Sequence, residues 1–325
     1  MQVKDNLAFL QLQDLGLRDY HCGLRINGAP RGIFDAMSRV FFLFLTAASL
    51  ACSGSTSPPA VPNDTTTVTW RQVWSDEFDG PAGAAPDPTK WNYDPGDGCS
   101  SGICGWGNNE KEFYTNAREN ISLNGNGQLM IVARLAPSSV TCYYGPCRYT
   151  SAKITTRGKM DASPGRVEAR IKLPSGQGLW PAFWMLGSSF PATPWPTCGE
   201  FDIMENHGSA SSGVSSAVHG PGYSGNTPFA RGFTLGLGTF ADDYHIFEVE
   251  WNAVEVRFSV DNTSYHAVAR GDMERFGKAV LDQSFFVILN LAVGGNFDSD
   301  PRSDEIFPAT MLVDYVRVYV PQVTK

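Results

Sequence analysis

Alternation of apolar and polar positions dominates the chain from Trp70 onward. Over residues 166–173, Val167, Ala169, Ile171 and Leu173 alternate with Glu168, Arg170 and Lys172, the period-two signature of a strand with one buried face. Residues 254–261 repeat it, with Val254, Val256, Phe258 and Val260 on one side. Asp261-Asn262 then predicts a tight hairpin into a strand over residues 265–269. Further strands are predicted over residues 215–218, 244–251, 285–291 and 312–320. Helical periodicity is scarce, and residues 271–276 suggest one short turn. Many strands at short spacing predict an all-β fold, a β-sandwich or jelly roll of two antiparallel sheets. No internal repeat or second globular domain is visible over residues 68–325.

Composition sharpens this picture in three respects. Gly 33 and Pro 21 among 325 residues supply the turns that such a fold consumes. A net charge of −8 argues against a nucleic-acid backbone or an anionic membrane surface as partner. Eight Trp residues are enough to serve both core packing and the stacking of sugar rings.

The first 67 residues read differently. Residues 40–51 (VFFLFLTAASLA) form one apolar run, shorter than the ~20 residues that span a bilayer. Ser38-Arg39 before it and Cys52 after it fit a signal peptide over residues 37–52. Residues 49–52 (SLAC) approach a bacterial lipoprotein processing site, with Ser49 where Leu is usual, so Cys52 is a candidate lipid anchor. Export to the medium or the cell envelope is the expectation. Residues 1–36 fit no export signal and are read as a misassigned extension upstream of Met37. Residues 53–67 (SGSTSPPAVPNDTTT) have the composition of a disordered linker.

Cysteine spacing follows from the same context. Cys99 and Cys104 are five apart, as are Cys142 and Cys147, and in an exported chain each pair is expected to close a local disulfide loop. Zinc is the rival for these four, although neither spacing matches a tight CxxC knuckle. Cys198 remains, and reads as a buried packing residue.

The candidate chemistry lies at residues 198–207 (CGEFDIMENH), where Glu200, Asp202 and Glu205 interleave with Phe201, Ile203 and Met204. On a strand, Glu200 and Asp202 share one face while Phe201 and Ile203 share the other. Glu205, five residues from Glu200, would point away. One extra residue absorbed as a β-bulge around Met204 would turn it back. Two carboxyl groups could then approach to ~5–5.5 Å, the separation of a retaining glycosidase. An exposed acidic edge strand is the plain alternative, but Phe, Ile and Met between the acids argue against it.

This stretch resembles the signature of glycoside hydrolase family 16, in the form carried by laminarinase-like members. Residues 70–80 (WRQVWSDEFDG), 106–115 (WGNNEKEFYT), 149–159 (YTSAKITTRGK), 178–187 (GLWPAFWMLG), 219–225 (HGPGYSG), 285–295 (FFVILNLAVGG) and 311–319 (MLVDYVRVY) extend the resemblance to the family's endo-β-1,3-glucanases. It implies a concave cleft for β-glucan, Glu200 as nucleophile, Glu205 as acid/base, and Asp202 tuning Glu200. It places Trp180, Trp184 and Trp195 in the cleft and His219 near the scissile bond. Asn108, Arg157, Gln283 and Asn290 become candidate hydroxyl binders. No cofactor is needed for such catalysis, but Glu77, the Gly127 carbonyl and Asp314 match a structural calcium site of some members. The expected partner is polysaccharide alone, and the expected state a monomer. Three acids this close cannot all ionise freely, and Glu205 must keep a raised pKa for the mechanism to run. A β-1,3-1,4-glucanase is the alternative within the same chemistry, with agarose or carrageenan cleavage further off. A non-catalytic glucan-recognition protein would be expected to have lost the acids.

Overall fold

A computed structural model describes residues 67–324. The readings made for the leader (the extension, the signal peptide, the Cys52 anchor and all of the linker but its last residue) lie outside the described residues.

Two sheets face each other. One runs, in spatial order, Thr263–Ala269, Glu255–Val260, His245–Trp251, Arg166–Lys172, Ala309–Thr324, Leu129–Leu135, Tyr149–Ser151 and Glu112–Tyr114. Thr67–Asp76 pairs on Ala309–Thr324, and Ile121–Leu123 on Leu129–Leu135. The other runs Phe229–Thr234, Gly213–His219, Glu200–Glu205, Leu179–Gly187, Phe285–Val293, Lys153–Thr155 and Asn92–Tyr93, antiparallel throughout.

The alternating side chains fill the space between the sheets. Val167, Ala169 and Ile171 enter the core from one side, and Phe183, Met185, Phe201 and Leu289 from the other. Phe201 stacks on Phe285 at 4.3 Å and meets Trp251 edge-on at 5.9 Å, an arrangement aromatic quadrupoles favour. Asp261 and Asn262 both take positive φ, 47° and 64°, as a two-residue turn matched to strand twist requires. The expected short turn is the helix Arg270–Glu274. The strand expected over 312–320 is longer, Ala309–Thr324, because three neighbours bond it in succession along its length. Cys99–Cys104 and Cys142–Cys147 are disulfides, and Cys198 is free and buried.

Candidate active site

Within the second sheet, Glu200–Glu205 lies between Leu179–Gly187 and Gly213–His219. Against the first neighbour, Trp184 pairs with Asp202 but Phe183 pairs with Met204, so Ile203 is the extra residue. Against the second, the register shifts between Asp202 and Glu205. This is the bulge, one position wide, at Ile203-Met204. Its effect is visible in the packing: Phe201, Ile203 and Met204 all enter the core. Two consecutive apolar residues go inward, so the following residue, Glu205, returns to the face of Glu200 and Asp202.

Neutral donors hold the outer two acids. Trp180 Nε1 donates to Glu205 Oε1 at 3.0 Å, and Trp195 Nε1 donates to Glu200 Oε2 at 2.6 Å. His219 lies opposite Glu200 in register, with Nε2 3.1 Å from Asp202 Oδ2. Burial and then the Glu200 charge push Glu205 up to about 7, against the pull of the Trp180 indole. Burial and the Asp202 charge hold Glu200 well above the carboxylate range, and burial and the Glu205 charge raise Asp202. Raising is therefore not confined to Glu205: the three acids together resist carrying three charges. Burial pulls His219 down, but its contact with Asp202 and the charges of Asp202 and Glu200 outweigh this and raise it.

The floor of the cleft comes from the next strands. Trp180 is stacked on Phe297 at 4.6 Å, and Phe297 on His207 at 3.7 Å. Trp184 Nε1 donates to Asn290 Oδ1 at 2.7 Å, and Asn290 Nδ2 donates to Tyr114 Oη at 3.1 Å. Tyr114 in turn donates to Glu110 Oε2 at 3.2 Å, and Asn108 donates to Glu110 Oε1 at 3.1 Å. Asn108, Asn290 and Trp184 thus belong to one hydrogen-bonded network. Gln283 is spent elsewhere: its amide donates to the Cys198 carbonyl. A side chain at Gly199 would stand 2.4 Å from that amide, so Gln283 braces the entry to the acidic strand. Arg157 is exposed, its guanidinium 6.0 Å from the Phe286 ring. The Cys198 thiol is pushed up to about 11 by burial and by Glu200, so it stays protonated.

The candidate calcium ligands are differently engaged. Arg317 donates to both oxygens of Glu77, at 3.0 and 2.7 Å, and Arg170 donates to Asp314 at 2.8 Å. A guanidinium on each carboxylate does not fit a dication held by those side chains. Gly127, at φ 74°, lies beside the Glu77 backbone.

Sequence reasoning missed Lys153, Trp106, Glu110, Tyr114 and Phe297. Lys153 is buried with Nζ 3.9 Å from the Trp106 ring centre and 5.2 Å from that of Trp184, a cation–π arrangement. Nothing local in residues 151–155 distinguishes it. Glu110 and Tyr114 stood in a motif already singled out, and the i, i+4 spacing of acid and phenol was the available signal.

The sequence model of the family described as "Glycosyl hydrolases family 16" matches residues 106–302, a span that holds every one of the cleft residues above. The chain belongs to this family. It is 39% identical to a "Beta-glucanase" of Rhodothermus marinus over 288 residues, covering 85% of this chain and 93% of that protein. It is 36% identical to "Glucan endo-1,3-beta-glucosidase A1" of Niallia circulans, covering 80% of this chain but 39% of that longer protein. Among solved structures, the laminarinase catalytic domain of Thermotoga maritima superposes with a TM-score of 0.72 at 44% identity, covering 77% of this chain and 98% of that one. In family 16 terms, the bulged strand is the signature of residues 199–205.

Proposed function

We propose that the protein hydrolyses β-1,3-glucan internally, by double displacement with retention. The observation that carries this is the bulge, which puts Glu200, Asp202 and Glu205 on one face above a floor of Trp180, Trp184 and Asn290. Glu205 is the acid/base. With a pKa of about 7, it holds a proton in a large fraction of molecules at neutral pH and can give it to the leaving oxygen. Glu200 is the nucleophile. The Trp195 indole and His219 favour its charged form, and the cationic transition state adds the counter-charge that the resting cleft lacks. Asp202 positions Glu200 and, through His219, limits the charge of the cluster. Glu205, deprotonated after the first step, then takes a proton from the water that releases the sugar.

The neighbours Trp180, Trp184, Trp195 and His219 supply ring faces and hydrogen bonds for glucose units. Asn108 and Asn290 act within the floor network, and Arg157 stands outside it. Catalysis rests on the carboxylates alone, with no cofactor. The two disulfides, together with the apolar run at residues 40–51, support export, and N-terminal sequencing of the native protein tests it. Cys52 is the residue to examine for acylation.

The deciding experiment follows laminarin hydrolysis by NMR. The first product should have the β-anomeric configuration of the substrate, and lichenan should be cut more slowly. Initial release of the α-anomer would overturn the mechanism, and faster cleavage of lichenan would move the substrate to β-1,3-1,4-glucan.

A further inference from the structure

We propose that the two disulfide loops form an accessory subsite for a glucan chain that continues out of the cleft, centred on Tyr143 and Tyr144. This rests on the reading of the cleft as a β-1,3-glucan site, and takes the same class of ligand.

The argument begins with a row of residues across the sheet. Glu205 pairs with Ala182, Ala182 with Asn290, and Asn290 with Lys153. Three strand steps at ~4.8 Å place Lys153 about 14 Å from the acid, along a continuous floor. Lys153 is covered by the Trp106 ring, which stands two residues beyond the Cys99–Cys104 disulfide loop, in the turn Cys104–Gly107 that this disulfide anchors. The second loop meets the first directly beside Trp106. Tyr143 packs its ring on Gly105, where a β-carbon would come within 3.0 Å of it, and Tyr143 N donates to Asp97 Oδ2 at 2.7 Å. Asp97 binds the first loop as well, accepting from Cys99 N at 3.2 Å. One buried carboxylate therefore ties both loops into a single rim.

This rim presents rings to solvent. Tyr143 and Tyr144 are each 37% exposed and meet edge to face at 5.1 Å. Lys111 Nζ lies 5.7 and 5.5 Å from the two ring centres. Tyr144 is fixed, donating to the Lys111 carbonyl at 2.5 Å and accepting from Arg148 N at 3.1 Å. Beside it, Lys111, Tyr144, Arg148, Tyr149 and Asp300 line a cavity of about 210 Å³. Rigid aromatic faces with an ammonium, a guanidinium and a carboxylate around them match a pyranose, which has apolar faces and a hydroxyl rim. No residue of the rim touches the acids, so the loops add binding without adding chemistry. A short oligosaccharide lying over Glu200 and Glu205 would not span the 14 Å floor and reach the rim as well, whereas a polymer would.

Binding is measured in a Glu200→Gln background of the full chain, by affinity electrophoresis on laminarin and by titration with laminaritriose. Tyr143→Ala should weaken laminarin binding roughly three- to tenfold, the range one aromatic contact supplies. Affinity for laminaritriose should stay within about twofold, and Tyr143→Phe, which keeps the ring, should retain the parent's affinity for both. Arg148→Ala should weaken laminarin alone, and gives an independent reading if Tyr143→Ala melts early. Equal loss for both ligands would make the role structural, and unchanged laminarin binding in Tyr143→Ala and Arg148→Ala would remove the subsite. If the Glu200→Gln parent binds neither ligand, it is the glucan reading itself that fails.

Discussion

Among the buried acids of the described residues, one group on each sheet invites comparison, and burial raises members of both. On the seven-stranded sheet, Glu205 reaches about 7. On the outer face of the ten-stranded sheet, Glu248 also reaches about 7, through burial, with Arg166 opposing and Glu250 adding to it. The perturbation is the same, yet the surroundings differ. Arg166 bonds both Glu168 and Glu248, and Tyr319 donates to Glu168 at 3.0 Å, so a fixed cation meets the charge of that group. In the cleft the donors are two indoles, and the one ionisable partner is His219. A raised pKa therefore does not by itself mark a catalytic group. The cleft differs because its acids meet two neutral indoles and one titrating imidazole in place of a fixed guanidinium, an incomplete compensation that leaves room for charge developing on a substrate.

The contrast is most sharply tested by removing acids from each group. Glu205→Gln should lower kcat on laminarin by roughly 10²–10⁴-fold, and Glu200→Gln by at least as much. Both should melt no earlier than the parent, since each relieves a crowded cluster. Glu248→Gln should leave turnover unchanged. The reverse asymmetry is expected of the cation: Arg166→Met strands two acids and should cost about 3–5 kcal/mol of stability, read by denaturant unfolding, with kcat per folded molecule unaltered. A loss of turnover in Glu248→Gln would dissolve the distinction.

Titration sharpens it further. As the proposed acid/base, Glu205 would have to be protonated to start the reaction, so kcat/KM should fall on the alkaline side with a midpoint near 7. Trp180 lowers that pKa by donating to Glu205, so Trp180→Phe should move the alkaline limb to higher pH. For stability, both Glu205 and Glu248 bind protons more tightly folded than unfolded. The native state thus holds more protons between about pH 4.5 and 7, and stability should decline as pH rises through that window. Thermal melts at pH 5 and pH 8 check this, and Glu248→Gln should flatten the difference. The smallest effect is expected at the floor, where Trp184→Phe removes one hydrogen bond to Asn290 and should raise KM a few-fold, about 1 kcal/mol, with kcat preserved.

Much of this arrangement was readable in one dimension. Alternation over residues 166–173, the Asp261-Asn262 turn, the paired cysteine spacings and the need for a bulge after Asp202 are local properties, written in neighbouring residues. The partners of the acids were less accessible. Trp180 and Trp195 stood out as cleft candidates, but which carboxylate each would meet depends on the pairing of Leu179–Gly187 and on the loop before Glu200. Gln283 looked like a hydroxyl binder because an amide in such company often is. Its distance of 85 positions from Cys198 hid the backbone carbonyl it braces.

Periodicity and spacing, then, determine which residues face the same way, because a strand repeats every two residues and a bulge shifts that repeat by one. They cannot determine which charged groups meet, because Glu77 and Arg317 are 240 positions apart and touch only once the sheet is assembled. Lys153 gives the same lesson from the cleft. Its place between Trp106 and Trp184 is created by three segments converging, and so is the cavity beside Tyr144. Burial, counter-charge and access to solvent are properties of that convergence, and they separate the acids that can act on a substrate from those that hold a sheet together.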